Sequence, residues 1–192
     1  MIGYNKPMAK DGAIVGVADH SGWAVLVTVD GDGTFLDRRR IELVDAGLPM
    51  LPHHHECQGL PIEQALELVE RVRTSAERRA KSSLDALAAA VPRKIRGVAV
   101  RECPALPETV AERIRNYRAQ CVADGVMYRT ALAREAESRG WVVHWYEARK
   151  VLSSAPQTLQ AGRPVGPPWR KDHQVAMAAA IVAAARDRAT NQ

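Results

Sequence analysis

Three short runs of mainly apolar residues, joined by turns of only a few residues, occupy positions 13 to 44 of the chain. The first run, residues 13–19, is followed by a His-Ser-Gly turn, and the second, residues 23–29, is followed by Asp-Gly-Asp-Gly at positions 30–33. Glycine accepts positive φ angles without steric cost, so the second turn is a strong hairpin signal. The pattern predicts a meander of three strands, the third covering residues 34–44.

Helical and strand patterns alternate along the rest of the chain. Pro61 suits the first position of a helix, and the apolar residues after it follow helical spacing until Pro92. The other predicted elements are a buried strand at 96–101, a partly helical basic stretch at 104–123, a helix at 126–139 ended by Gly140, a strand at 141–146, a loop at 151–168 and a helix at 172–188. The predicted class is therefore α/β.

Length and composition favour one domain with a full core, since the chain has 192 residues, of which 46% are hydrophobic. We expect a flexible N-terminus at 1–12, a single domain at 13–188 and a short tail at 189–192. The three cysteines form no CxxC pair, which argues against a disulfide scaffold or a zinc knuckle and favours the reducing cytosol. The longest apolar run, residues 175–185, is too short to cross a bilayer, which needs about 20 residues.

Acidic residues stand where three of the predicted elements end or begin. Asp19 ends the first strand, Glu102 follows the fourth, and Asp172 opens the last helix. These carboxylates can meet if the two strands are neighbours and the helix packs over them, and they then repel one another unless cations lie between them. The sequence therefore predicts a site for Mg²⁺ or Mn²⁺, in which two ions would activate water and stabilise the leaving oxygen of a phosphodiester.

Each carboxylate also has an ordinary alternative. Asp19 suits a turn, Glu102 stands next to Arg101 and suits a salt bridge, and Asp172 suits the first turn of a helix. His173 is a possible further metal ligand, although imidazole suits these ions less well than carboxylate.

Four segments, in order along nearly the whole chain, resemble the RuvC-type Holliday-junction resolvases of the ribonuclease H-like superfamily. They are Asp-His-Ser-Gly-Trp-Ala-Val at 19–25, Val-Ala-Val-Arg-Glu at 98–102, Val-His-Trp-Tyr-Glu-Ala-Arg-Lys-Val at 143–151 and Lys-Asp-His-Gln-Val-Ala-Met-Ala at 171–178. The resemblance implies a ribonuclease H-like mixed five-stranded sheet, with three antiparallel strands, then parallel strands, and helices on both faces. It also implies a metal-dependent endonuclease acting on branched or structured DNA as a homodimer, with Asp19, Glu102 and Asp172 as catalytic metal ligands. The family's last helix usually carries a second acidic residue, and Val175 occupies that position here.

The chain is basic, with a formal charge of +5, and residues 93–118 hold seven Lys and Arg against three Glu, a net of +4. A basic segment suits phosphate contacts, and an aromatic residue within it can stack on an unpaired base. The expected nucleic-acid-binding residues are Arg113, Arg115, Tyr117, Arg118, Arg149, Lys150, Arg170 and Lys171.

Two other functions are consistent with the same residues: a non-catalytic ribonuclease H-like module that binds nucleic acid or protein, which Val175 favours, and a nuclease that processes RNA. The loop at 53–56, His-His-His-Glu, follows a strand parallel to the first and should reach the sheet edge that carries Asp19. Its usual interpretation is a solvated loop, with contact to metal or substrate as the alternative. Glu63, in the next helix, is more simply explained by the helix dipole.

Overall fold

Five strands form one mixed sheet in the computed structural model, which describes residues 12–156 and 166–190. In chain order the strands are β1 (Ala13–His20), β2 (Trp23–Asp30), β3 (Phe35–Glu42), β4 (Ile95–Arg101) and β5 (Val142–Tyr146). Their order across the sheet is β3-β2-β1-β4-β5. The first three pair antiparallel, and β4 and β5 continue the sheet parallel to β1. The predicted mixed five-stranded sheet is confirmed.

Five α-helices and one π-helical turn connect or cover the strands within the described residues. They are the turn Pro52–Glu56 and the helices α1 (Ile62–Ala90), α2 (Val110–Arg115), α3 (Tyr117–Ser138), α4 (Val151–Ser154) and α5 (Lys171–Thr190). The predicted start of the third helix at residue 126 was wrong: α3 begins at Tyr117, where the Asn116 side chain accepts a hydrogen bond from the N–H of Ala119. Such a cap satisfies one of the free N–H groups of the first turn.

Alternate residues of β1 face two different hydrophobic layers, because successive side chains of a strand point to opposite faces of the sheet. Val15 and Val17 belong to a core shared with α1 and α3. Ile14 and Ala18 belong to a second core, formed with α5. The sheet therefore lies between α1 and α3 on one face and α5 on the other.

Helix α5 lies unusually close to the sheet at Gly16. A Cβ atom at this position would overlap the carbonyl oxygen of Ala176 and lie 2.8 Å from the amide nitrogen of Ala180. Small residues along α5 permit this approach, as the alanine-rich sequence predicts. The contact fixes the position of the whole helix, including Asp172 in its first turn.

No helix in the described ranges is long and apolar enough to span a membrane. The predicted division into segments at 1–12, 13–188 and 189–192 stays a prediction, since residues 1–11 and 191–192 lie outside the described part of the chain.

Candidate functional site

Asp19 and Glu102 lie at the same end of neighbouring strands, as the sequence predicts. Gly16 of β1 pairs with Ala99 of β4, and the two acidic residues each follow three positions later in parallel strands. The amide of Glu102 continues the ladder by donating to the carbonyl of Tyr146, 3.0 Å away. This is the carboxyl end of the parallel strands, where open α/β sheets bind their ligands.

The carboxylate of Asp19 is held by two arginines. Its Oδ2 atom lies 2.7 Å from a terminal nitrogen of Arg101 and 2.7 Å from Nε of Arg129. The Asp19 side chain is only 1% exposed and that of Arg129 only 10%, so this is largely a buried ion-pair cluster. The positive charges of Arg101 and Arg129 therefore compensate the negative charge of Asp19.

Helix α3 delivers Arg129 to this position. The guanidinium of Arg129 also donates to the backbone carbonyl of Glu102, at 3.3 Å, which ties α3 to the end of β4. Gly125, one helical turn earlier, leaves room for the Arg129 side chain, because a Cβ atom on residue 125 would lie 3.1 Å from it. Glycine inside a helix costs about 1 kcal/mol relative to alanine, and here the space it leaves accommodates an arginine.

The carboxylate of Glu102 lies in different surroundings. Glu102 is exposed and lines a cavity of about 370 Å³ with Glu147 and Arg149. Lys150 pairs with Glu147 at 2.8 Å. The hydrogen bond to Glu147 and the negative charge of Glu147 raise the pKa of Lys150, and the charge of Glu102 raises it to a lesser extent. Glu102 therefore belongs to a mixed-charge surface, beside the predicted contact residues Arg149 and Lys150.

Asp172 lies on the face of the sheet opposite to the Asp19 side chain. Alternation along β1 directs Asp19 towards α3, and directs the next residue, His20, towards α5. The carboxylate of Asp172 accordingly lies 3.2 Å from Nε2 of His20. Val175 occupies the position at which the resembled family usually has a second acidic residue. It packs against the hydrophobic layer under α5 and so contributes to the core.

His173 makes a local contact, because its Nδ1 accepts a hydrogen bond of 3.2 Å from the amide of Arg170. Burial, and then the charge of Arg38, lower its pKa. Arg170, Asp172 and His173 line one cavity of about 440 Å³ with Trp23 and Arg40. The guanidinium of Arg40 lies over the Trp23 ring at 3.9 Å.

A third cavity, of about 420 Å³, adjoins Asp19 and is called the Asp19 cavity below. Ten residues line it, among them Asp19, His20, Arg101, Cys121, Val122, Asp124, Gly125 and Arg129. Asp124 also holds the histidine loop: its Oδ1 lies 2.8 Å from Nδ1 of His53, and it accepts hydrogen bonds from the amides of His53 and His54. The loop therefore lies beside Asp19, at the sheet edge where the sequence placed it, while Glu63 is exposed in the first turn of α1.

The predicted basic residues lie in three places. Arg113 of α2 donates to the carbonyls of Pro107 and Glu108 and so ties the helix to the loop before it, whereas Arg115, Tyr117 and Arg118 are exposed. Tyr117 is 73% exposed, and its ring centroid lies 6.3 Å from that of His54, whose backbone amide donates to Asp124. Arg149 and Lys150 lie beside Glu102, and Arg170 and Lys171 lie at the start of α5.

The arrangement does not fit a two-metal centre. Asp19, Glu102 and Asp172 each line a different cavity, and Oδ2 of Asp19 already contacts two guanidinium groups. Within the described ranges, no group of three or more His, Cys, Asp or Glu side chains is placed to hold a metal ion. Metal ligation by Asp19, Glu102, Asp172 and His173 stays a prediction that this geometry does not favour.

Arg129 and Asp124 are the residues that the sequence analysis missed. With the start of α3 placed at Tyr117, residues 118, 122, 125 and 129 follow helical spacing and share one face. Only the packing of α3 brings that face to Asp19, so the spacing by itself carried no signal for Arg129 or Asp124.

Comparison with known proteins identifies the fold. No family model and no curated protein matches the chain. Among solved structures, RuvC of Thermus thermophilus in complex with a Holliday junction substrate matches with a TM-score of 0.52 and 13% identity, over 93% of this chain and 96% of that one. A second structure of Thermus thermophilus RuvC matches with a TM-score of 0.51, 13% identity and the same coverage. The protein therefore has the ribonuclease H-like fold that is also seen in RuvC.

Proposed function

We propose that this chain is a ribonuclease H-like nucleic-acid-binding protein in which Asp19 anchors two arginines instead of binding a metal ion. The observation that carries the proposal is the pair of 2.7 Å contacts from Arg101 and Arg129 to one oxygen of Asp19. A divalent cation at that oxygen would lie beside two fixed positive charges, and the repulsion opposes its binding.

Nucleic acid is the favoured partner for two reasons. The chain carries a formal charge of +5, and its fold matches that of a RuvC protein solved with a Holliday junction substrate. Exposed Tyr117 and Arg118 stand at the start of α3, one helical turn before Cys121 and Val122, which line the Asp19 cavity. An exposed arginine beside an exposed aromatic ring suits a phosphate and a base.

Metal-dependent cleavage of branched DNA is the second candidate function. The register of β1 and β4 favours it, because it brings Asp19 and Glu102 to the same end of adjacent strands. For this function the arginines would have to leave Asp19 when Mg²⁺ or Mn²⁺ binds, and Asp172 would have to leave His20. An RNA-processing nuclease on the same scaffold has the same requirement.

The two candidates are separated by one assay. Fluorescently labelled four-way junction, duplex DNA and structured RNA are incubated with the protein in EDTA, in Mg²⁺ and in Mn²⁺, and both binding and strand length are measured. The proposal predicts binding that persists in EDTA, with intact strands in all three conditions. Cleavage by the wild type that is lost in Asp19→Asn would establish the second candidate, and failure to bind any substrate would reject the proposed function.

A further inference from the structure

A cleft lined mainly by arginines lies between β3 and the start of α5, and is called the β3–α5 cleft below. Its volume is about 440 Å³. Val25 and Val27 of β2 pack in the hydrophobic layer under α5, and their partners across the sheet are Arg40 and Arg38. Residues that pair across antiparallel strands share a face, so both arginines lie on the α5 face. The charged and imidazole side chains that line the cleft are those of Arg38, Arg39, Arg40, Arg170, Asp172 and His173.

The guanidinium of Arg38 is held in place without being neutralised. Its two terminal nitrogens donate to the backbone carbonyls of residues 166, 167 and 168, at 2.7 to 2.9 Å. Carbonyl groups fix the orientation of an arginine but carry no net charge, and three of its five N–H donors are used here. Within the described ranges no carboxylate forms an ion pair with Arg38. A fixed, charged group with N–H donors to spare is preorganised for an anion.

Arg170 is a second cation of the cleft without a carboxylate partner. It is exposed, and in the described part of the chain its side chain makes no hydrogen bond or ion pair, while its backbone amide donates to Nδ1 of His173. The pKa of His173 is lowered first by burial, then by the charge of Arg38 and, less strongly, by that of Arg170. Asp172 acts on this pKa in the opposite direction without reversing the shift. The positive charges of both arginines therefore reach the interior of the cleft.

The other charged groups of the cleft are paired. Arg39 and Arg40 each lie 2.8 Å from a carboxylate of β3, and the carboxylate of Asp172 lies 3.2 Å from His20. Four arginines thus stand against three acidic residues, and Lys171 at the start of α5 adds a further positive charge. The excess charge is positive, and the guanidinium groups without a carboxylate partner are on exposed or half-buried side chains. Such a surface attracts an anion.

From these contacts we infer that the β3–α5 cleft is a second phosphate-contact surface, in which Arg38 and Arg170 hold the backbone of a nucleic acid. The inference rests on the proposed binding of nucleic acid and names the chemical group by which the partner is held. Guanidinium groups match phosphate oxygens with two parallel hydrogen bonds. A base fits less well, because the Trp23 ring already lies 3.9 Å from the His20 ring and 3.9 Å from the Arg40 guanidinium. The contact is therefore independent of base sequence.

The β3–α5 cleft and Arg118 lie on different faces of the sheet. Arg118 belongs to α3, which packs on one face, whereas Arg38 lies on the face that α5 covers. A nucleic acid that contacts both must extend from one face of the sheet to the other. The two contacts then act on the same bound molecule, and their contributions to affinity add.

The test measures how duplex binding depends on salt, in EDTA, for the wild type, for Arg170→Gln and for Arg134→Gln as the control at an exposed arginine of α3. Each phosphate contact contributes about 0.9 to the slope of log affinity against log salt. We expect Arg170→Gln to reduce the slope by about one and to weaken binding roughly 5- to 10-fold at 100 mM salt, equally for duplexes of different sequence. Arg134→Gln should leave both quantities unchanged.

Two further variants test the other parts of the inference. Arg170→Gln combined with Arg118→Gln should reduce the slope by about two, because one contact is lost on each face of the sheet. Arg38→Gln should match Arg170→Gln in its slope. Arg38 also holds residues 166–168, so thermal unfolding of this variant is measured alongside, and the result for Arg170→Gln decides if Arg38→Gln does not fold.

An unchanged slope in Arg170→Gln, with a wild type that binds the duplex, would overturn the inference and leave nucleic-acid binding intact. A loss of affinity confined to one duplex sequence would also overturn it, because that result indicates contact with a base.

If no nucleic acid binds to the wild type, the proposed function fails and the cleft is tested alone. The protein is labelled with fluorotryptophan, and the fluorine resonance of Trp23, assigned with Trp23→Phe, is followed as tripolyphosphate or hexaglutamate is added. A shift with tripolyphosphate that is lost in Arg170→Gln would support phosphate recognition by the cleft. No shift, or a shift with hexaglutamate at least as large, would overturn it, and the latter would indicate an acidic protein partner.

Discussion

At the scale of single residues, the state of Asp19 depends on charges that arrive from two other elements. Arg101 comes from the end of β4 and Arg129 from the middle of α3, and both contact the same carboxylate oxygen. The sequence predicted a divalent-metal site here, in which cations lie between three gathered carboxylates. It did not indicate that the charge would come from arginines, because Arg129 is distant in sequence and joins the site only through the packing of α3.

The three cysteines should differ in reactivity. Burial, assisted by the charges of Asp124 and Glu56, raises the pKa of the Cys57 thiol to about 11, and burial also raises the pKa of Cys103. Cys121 is exposed. Because the thiolate is the reactive form, we expect iodoacetamide at pH 8 to modify Cys121 first and to leave Cys57 unmodified in the folded protein.

Mass spectrometry of digested protein at successive times measures this order. The unfolded protein, in which all three thiols are accessible, is the control. Modification of Cys57 as fast as Cys121 in the folded state would contradict the described burial.

At the scale of the elements, the contact between α5 and the sheet depends on Gly16. In Gly16→Ala the new Cβ would overlap the backbone carbonyl of Ala176, and backbone cannot rotate away as a side chain can. We expect a loss of about 3 kcal/mol in the free energy of unfolding, measured in urea.

Gly59→Ala is the matched control. Gly59 has a φ of +78° and no neighbouring atom within 4 Å, so this change introduces backbone strain without a contact. Its expected cost is about 1 kcal/mol. Equal losses in the two variants would show that the close approach of α5 does not determine stability.

The helices and strands were largely predictable from the sequence. Which face of the sheet each helix covers was not. Continuous apolar runs and a glycine turn predicted β1 and β2 within one residue of their described ends. Which helix covers which face is a tertiary property, and it decides that Asp19 faces α3 while Asp172 meets His20. The sequence does not show directly which helix covers which face of the sheet. The three acidic residues at the ends of elements were therefore expected to meet at one site.

At the scale of the whole molecule, the positive charge should make nucleic-acid binding sensitive to salt. With roughly three phosphate contacts, affinity should fall about 10- to 100-fold between 50 and 200 mM salt. We expect Arg118→Gln to reduce the slope of log affinity against log salt by about one, because one phosphate contact is lost.

Arg134→Gln is the control, on the same helix. Arg134 is 66% exposed and lies 3.8 Å from Glu77 of α1, away from the Asp19 cavity. Anisotropy titrations at four salt concentrations measure both slopes. Equal slopes for the two variants would exclude Arg118 from the phosphate contacts.

The homodimer and the cytosolic location expected from the sequence stay predictions. Sedimentation of the free protein, and of the protein with a four-way junction, measures the number of copies in each state. Two copies on a junction would agree with the resemblance to the resolvases.

The central claim, that arginines and not metal ions compensate Asp19, is tested most directly by unfolding Asp19→Asn in urea with EDTA present. The change leaves the buried charge of Arg129 without its partner, so we expect a loss of about 3 kcal/mol in the free energy of unfolding. Asp172→Asn, whose partly exposed pair with His20 should contribute less than about 1 kcal/mol, is the control. In a metal site without its metal, removing one of several repelling carboxylates leaves stability unchanged or raises it. That result for Asp19→Asn would contradict the account.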